Sequence, residues 1–96
     1  METERFINLC KTLIQQEYLT NLLDKTENVT IDKSQIFVVW NCKTLQNNKA
    51  LLSTKLPDGM YFECTYNGDK KEIYIDSYKK IKNQKYDVEI ETVGGK

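Results

Sequence analysis

The sequence contains no histidine. That absence excludes a Ser-His-Asp triad, a Cys-His dyad, an imidazole zinc ligand and an HExxH helix. Proline occurs once and glycine four times, so nothing reads as a flexible linker or low-complexity tract. The longest apolar run has five residues, against the ~20 that span a bilayer. Neither charge sign dominates: 14 basic residues stand against 14 acidic ones. A nonspecific polyanion binder and an acidic nucleic-acid mimic are both disfavoured by that balance. The three cysteines, Cys10, Cys42 and Cys64, are far apart and form no CxxC. Neither a zinc knuckle nor a thioredoxin-type motif is present, and the expectation is buried free thiols.

What is there suits one folded domain over residues 1–96, because a second core would not fit in this length. The acidic start, Met1-Glu2-Thr3-Glu4, is unlike a signal peptide, and a cytoplasmic protein is expected. Apolar residues at Phe6, Cys10, Leu13, Ile14, Tyr18 and Leu22 recur at steps of three and four. They predict a helix over about 3–24, with Thr3 as its N-cap.

From about 36 to 92 the pattern predicts antiparallel strands. Ile36-Phe37-Val38-Val39-Trp40 is apolar at odd and even positions, as in a strand covered on both faces. Asn41 to Lys49 reads as a polar connection, and Ala50 to Thr54 as a second strand. Leu56-Pro57-Asp58-Gly59 predicts a turn with glycine in the left-handed region. Met60, Phe62, Cys64 and Tyr66 alternate with Tyr61, Glu63 and Thr65 in a third strand, and Asn67-Gly68 signals a hairpin. Ile73 and Ile75 alternate with Tyr74, Asp76 and Tyr78 in the returning strand. Residues 76–85 fit either a short helix or a continued strand. Tyr86, Val88 and Ile90 alternate with Asp87, Glu89 and Glu91, which predicts a fifth strand whose acids pair with Lys79, Lys80 and Lys82. The tail 93–96 is expected to fray.

The fold class is therefore α+β: an N-terminal α-helix packed on an antiparallel meander of four to five strands. A helix is about 10 Å across and covers one face only. Strands spaced about 4.8 Å apart make a wider sheet. The second face needs other cover: the C-terminal segment, a second copy in a homodimer, or a target protein.

Three side-chain groups invite a functional reading. Tyr61, Tyr74 and Tyr78 lie opposite the expected core, and tyrosine anchors protein interfaces. Lys70, Lys71, Lys79, Lys80, Lys82 and Lys85 oppose only Glu72 and Asp76 over residues 70–85. Lysines among tyrosines suit single-stranded nucleic acid, but the first reading of them is a solvated hairpin whose lysines guard edge strands. Glu63 and Asp76 fall on facing strands, without a nucleophile or phosphate loop nearby. No cofactor, metal site or catalytic residue is expected.

The blocks Val39-Trp40-Asn41-Cys42-Lys43-Thr44-Leu45-Gln46-Asn47-Asn48-Lys49-Ala50-Leu51-Leu52-Ser53-Thr54, Leu56-Pro57-Asp58-Gly59-Met60-Tyr61, Tyr66-Asn67-Gly68-Asp69-Lys70 and Tyr74-Ile75-Asp76-Ser77-Tyr78-Lys79-Lys80 are distinctive. With them the chain resembles a family of small uncharacterised proteins encoded by tailed phages and prophages of Gram-positive bacteria. That resemblance implies a bacterial host cytoplasm and an accessory role. Phage accessory genes often encode proteins that bind and inhibit host or defence proteins, CRISPR nucleases among them. The expectation is a non-enzymatic binding protein that recognises a host or defence protein through Tyr61, Tyr74, Tyr78, Lys79, Lys80 and Lys82. A nucleic-acid-binding accessory of phage replication or regulation is the alternative, and no membrane partner is expected.

Overall fold

A computed structural model describes residues 1–22 and 31–89. One helix, α1 (Thr3–Glu17), precedes four strands: β1 (Ile36–Thr44), β2 (Asn47–Thr54), β3 (Met60–Asn67) and β4 (Glu72–Lys79). The strands form a single antiparallel sheet in the order β1-β2-β3-β4, so each pairs with its sequence neighbour. This is the α+β meander that the periodicities predict, with four strands.

The helix buries Phe6, Cys10 and Ile14, and the π-turn Tyr18–Leu22 that follows it buries Tyr18. These four are spaced four apart, so they stack along one stripe of the helix surface. Against them lie Ala50 and Leu52 of β2 and Phe62 and Cys64 of β3, with Ile31 and Ile36 completing the core. The Tyr18 and Phe62 rings meet edge to face, with centroids 5.6 Å apart. The predicted cap is displaced by one residue. Glu2 is the extended residue before the helix, its carbonyl accepts the Phe6 N–H at 2.9 Å, and Thr3 is already helical. The predicted helix end at 23–24 lies outside the described residues.

Tyr18 ties the helix to the β2–β3 turn. Its hydroxyl donates to Asp58 Oδ2 at 2.6 Å and lies 3.4 Å from Thr54 Oγ1. Asp58 Oδ1 accepts the Met60 N–H at 3.1 Å, which holds the turn closed, and Gly59 takes the expected left-handed conformation at φ 69°. Burial, and then the Asp58 carboxylate, push the Tyr18 hydroxyl up to about 12 from its ordinary 10. The fold thus favours the protonated phenol. Its stabilisation is full below pH about 10 and is lost as pH rises through about 12. In a titration followed by tyrosinate absorbance, Tyr18 is expected to contribute a late step near pH 12, and Tyr18→Phe removes it.

The β1–β2 connection differs from the expectation. Residues 41–49 are not a loop: both strands run on as a ribbon closed by Leu45-Gln46, with Leu45 at φ 55°. The polar sequence of this ribbon hides its strand character, because most of it faces water on both sides. The β3–β4 loop is also longer than a two-residue Asn-Gly turn. Asn67 Oδ1 accepts the N–H groups of Asp69 and Lys70, and Lys71 carries the positive φ. Gly68 is needed for space: a Cβ there would clash with the Gln46 carbonyl oxygen. Gly68→Ala is therefore expected to cost about 1–3 kcal/mol through overpacking, read as a lower urea midpoint.

β4 continues as strand to Lys79, which settles 76–79 against a short helix. Residues 80–89 form no helix or strand, so 86–89 is not a fifth strand in this sheet. The predicted pairing of Asp87 and Glu89 with Lys79, Lys80 and Lys82 is accordingly not made; Asp87 instead meets Lys85 at 3.3 Å. A strand needs a partner edge as well as alternation, and the turn signal at 82–85 is weak. Ile90, Glu91 and the tail 93–96 lie outside the described residues.

Cys10 and Cys64 are buried free thiols, as expected, but Cys42 is exposed on β1. The hydrogen bond to Cys64 and then burial push the Cys10 thiol well above its ordinary range. No helix among the described residues is long and apolar enough to cross a membrane.

Candidate functional site

The sheet face turned away from α1 is built in rows by the strand register. Phe37, Ser53, Tyr61 and Tyr78 stand side by side across β1, β2, β3 and β4. The next row is Trp40, Leu51, Glu63 and Asp76, and the one after it Cys42, Lys49, Thr65 and Tyr74. Period-2 alternation alone would put Phe37 and Trp40 on opposite faces. A β-bulge between Val38 and Trp40 absorbs one residue, so both rings reach the open face while Val38 packs against the core.

This face is apolar and open. Phe37 is 43% exposed, Val39 46% and Trp40 42%, whereas Tyr74 and Tyr78 are each 54% exposed. Tyr61 and Leu51 are half-buried beneath these neighbours. Clustered aromatic exposure of this kind is uncommon on a surface that meets only water. The expectation that β1 is covered on both faces thus fails for the described residues. β1 has an apolar second face, and among the described residues nothing lies over it.

Charge on this face is sparse and leans acidic. Glu63 and Asp76 are direct cross-strand neighbours, which the register expectation placed on facing strands. Lys49 approaches Glu63 Oε1 at 3.7 Å and offsets part of the repulsion. Glu72 lies further along β4 on the same face. A shallow depression of about 260 Å³ adjoins this end of the face, with Cys42, Thr44, Lys49 and Thr65 in its wall.

The structure brings part of the predicted site together. Tyr61 and Tyr78 are direct neighbours, and Tyr74 shares their face one row beyond the acids. Lys79 pairs with Met60 and so alternates to the helix side of the sheet. Lys80 lies just past the strand, its N–H donating to the Gly59 carbonyl at 2.7 Å, and Lys82 is exposed beyond it. The lysines do not form one patch. Lys70 and Lys71 occupy the β3–β4 loop, about 24 Å along β4 from Lys79. Sequence reasoning omitted Phe37, Val39, Trp40 and Leu51 from the site. The five-residue apolar run was their signal, but the bulge that aims Trp40 depends on pairing with β2.

Helix, meander and bulge together define the class: a one-helix, four-strand α+β module with an open aromatic sheet face. Residues 7–88 match a family of unknown function (DUF6275), and the chain belongs to that family. Neither a curated protein nor a solved structure matches it.

Proposed function

We propose that this protein is a binding module that acts by occupying a partner protein through the open face of its sheet. One observation carries the reading: Phe37, Trp40, Tyr74 and Tyr78 are all exposed on one face of the sheet. Such rings supply large contact area at low conformational cost, and half-buried Tyr61 and Leu51 give them a fixed floor. Glu63 and Asp76 at the centre oppose a phosphate backbone on this face and favour a partner with basic groups there. Lys79 alternates to the helix side, and Lys80 and Lys82 follow the end of β4, so these lysines are not part of the sheet face itself.

The partner we propose is a host or anti-phage defence protein, inhibited or redirected by occupation rather than by chemistry. The resemblance to small phage and prophage accessory proteins supports this choice. The test uses the tagged chain of residues 1–96 as bait in bacterial lysate, in parallel with and without nuclease treatment. A protein retained at about one-to-one stoichiometry is the expected result. Recovery of nothing stoichiometric, or of material that nuclease treatment removes, overturns the reading.

A further inference from the structure

The open face carries charge of one sign, although the chain has 14 charges of each. Its strand positions hold three carboxylates, Glu63, Glu72 and Asp76, against one ammonium, Lys49, a net −2. Two of the carboxylates sit together. Glu63 and Asp76 are directly opposite on β3 and β4, where the Cβ atoms of paired residues stand about 5 Å apart. Like charges so placed destabilise a sheet, and Lys49, 3.7 Å from Glu63 Oε1, offsets only part of that. Asp76 is exposed and has no ion pair among the described residues. The pair therefore has room for a cation that the described residues do not supply.

Aromatic rings flank the pair along the strands. Tyr61 and Tyr78 form the row on one side and Tyr74 stands in the row on the other, each row about 7 Å away. The Tyr74 hydroxyl donates to Glu72 Oε1 at 3.3 Å, which steadies that ring. Trp40 lies in the row of the pair itself, across Leu51. Two adjacent carboxylates between tyrosine rings on a flat surface match a guanidinium. That group is planar, donates from several N–H groups at once to carboxylate oxygens, and stacks its face on aromatic rings. An ammonium is a compact, strongly hydrated point charge and fits such a surface less well. The same charges disfavour other occupants. A second copy, packed face to face, would bring a like acidic pair, and nucleic acid would bring phosphates.

We infer that the face recognises an arginine of the partner protein, with its guanidinium on Glu63 and Asp76 and its faces against the flanking tyrosines. Leu51 and Trp40 receive the apolar residues beside that arginine. This inference rests on the reading of the face as a partner-docking surface and names the group that the partner presents there.

The test titrates the chain of residues 1–96 with a capped peptide carrying one arginine between two leucines, followed by Trp40 fluorescence. Sister peptides carry lysine, or citrulline, which keeps the shape of arginine without its charge. At low salt the arginine peptide is expected to bind at least about tenfold more tightly than the citrulline peptide, with the lysine peptide between them. Glu63→Gln combined with Asp76→Asn is expected to abolish that preference without lowering the urea midpoint, because it also relieves the cross-strand repulsion. Asp87→Asn, away from the face, is expected to keep it. Equal affinity for the arginine and citrulline peptides overturns the inference. So does a preference that survives the double substitution, or an arginine peptide that shows no saturable binding at millimolar concentration. A stronger response to an oligothymidine, or a Trp40 blue shift on concentrating the protein alone, overturns it in favour of nucleic acid or a second copy. Lysate capture separates the two readings. A partner retained equally by the double variant overturns the arginine inference alone, whereas failed capture beside a clear arginine preference overturns the host-partner reading alone.

Discussion

Phe62→Ala is expected to lower the unfolding free energy by about 3–5 kcal/mol. The ring is fully buried at the middle of β3, beneath the helix stripe, and meets Tyr18 edge to face. Truncation removes the apolar burial and also leaves a cavity. The surrounding groups cannot close it readily: Tyr18 is fixed by Asp58, and Leu52 is held in the paired strand beside it. A domain of this size has only about 5–15 kcal/mol in total, so the variant should be marginally folded. Urea unfolding followed by circular dichroism should show a much lower midpoint at an unchanged slope. A midpoint shift worth less than about 1 kcal/mol would mean that the helix is not seated on β3 as described.

The second large effect concerns the open face. Trp40→Ala with Tyr78→Ala is expected to weaken partner capture by about 100-fold or more, the effect of losing two aromatic anchors. Both side chains are about half exposed, so neither supports the core, and the melting temperature should move little. The two positions flank the face, on β1 and β4, and their joint loss removes both ends of the aromatic surface. Isothermal titration with the recovered partner measures the change. Glu63→Lys on the same face is expected to weaken binding less, by reversing the charge at its centre. Unaltered affinity in the Trp40/Tyr78 variant, with the fold intact, would move the interface elsewhere.

Much of this architecture is legible from local pattern. The stripe of Phe6, Cys10, Ile14 and Tyr18 is helical periodicity, and Met60 to Tyr66 is strand alternation with its turn residues in place. Both depend on neighbours close in sequence. What escapes depends on pairing at a distance. The bulge beside Val39 exists only relative to β2, and it decides that Phe37 and Trp40 share a face. The β1–β2 ribbon carries polar residues and turns at Leu45-Gln46 without a glycine or asparagine in the turn itself, so it reads as a loop. Residues 86–89 show the converse: their alternation is strand pattern, but no strand of this sheet pairs with them. The three tyrosines were visible as a set, whereas the lysines beside them in sequence are scattered over both ends of β4.

Trp40 is the single tryptophan, and it sits at the β1 side of the face proposed to dock a partner. Its fluorescence therefore reports on that face alone. In the free protein its emission should be red-shifted and readily quenched by acrylamide. On titration with the recovered partner the account predicts a saturable blue shift and loss of quenching, complete at one-to-one stoichiometry. A partner that binds at that stoichiometry and leaves both the emission maximum and the quenching of Trp40 unchanged would contradict it.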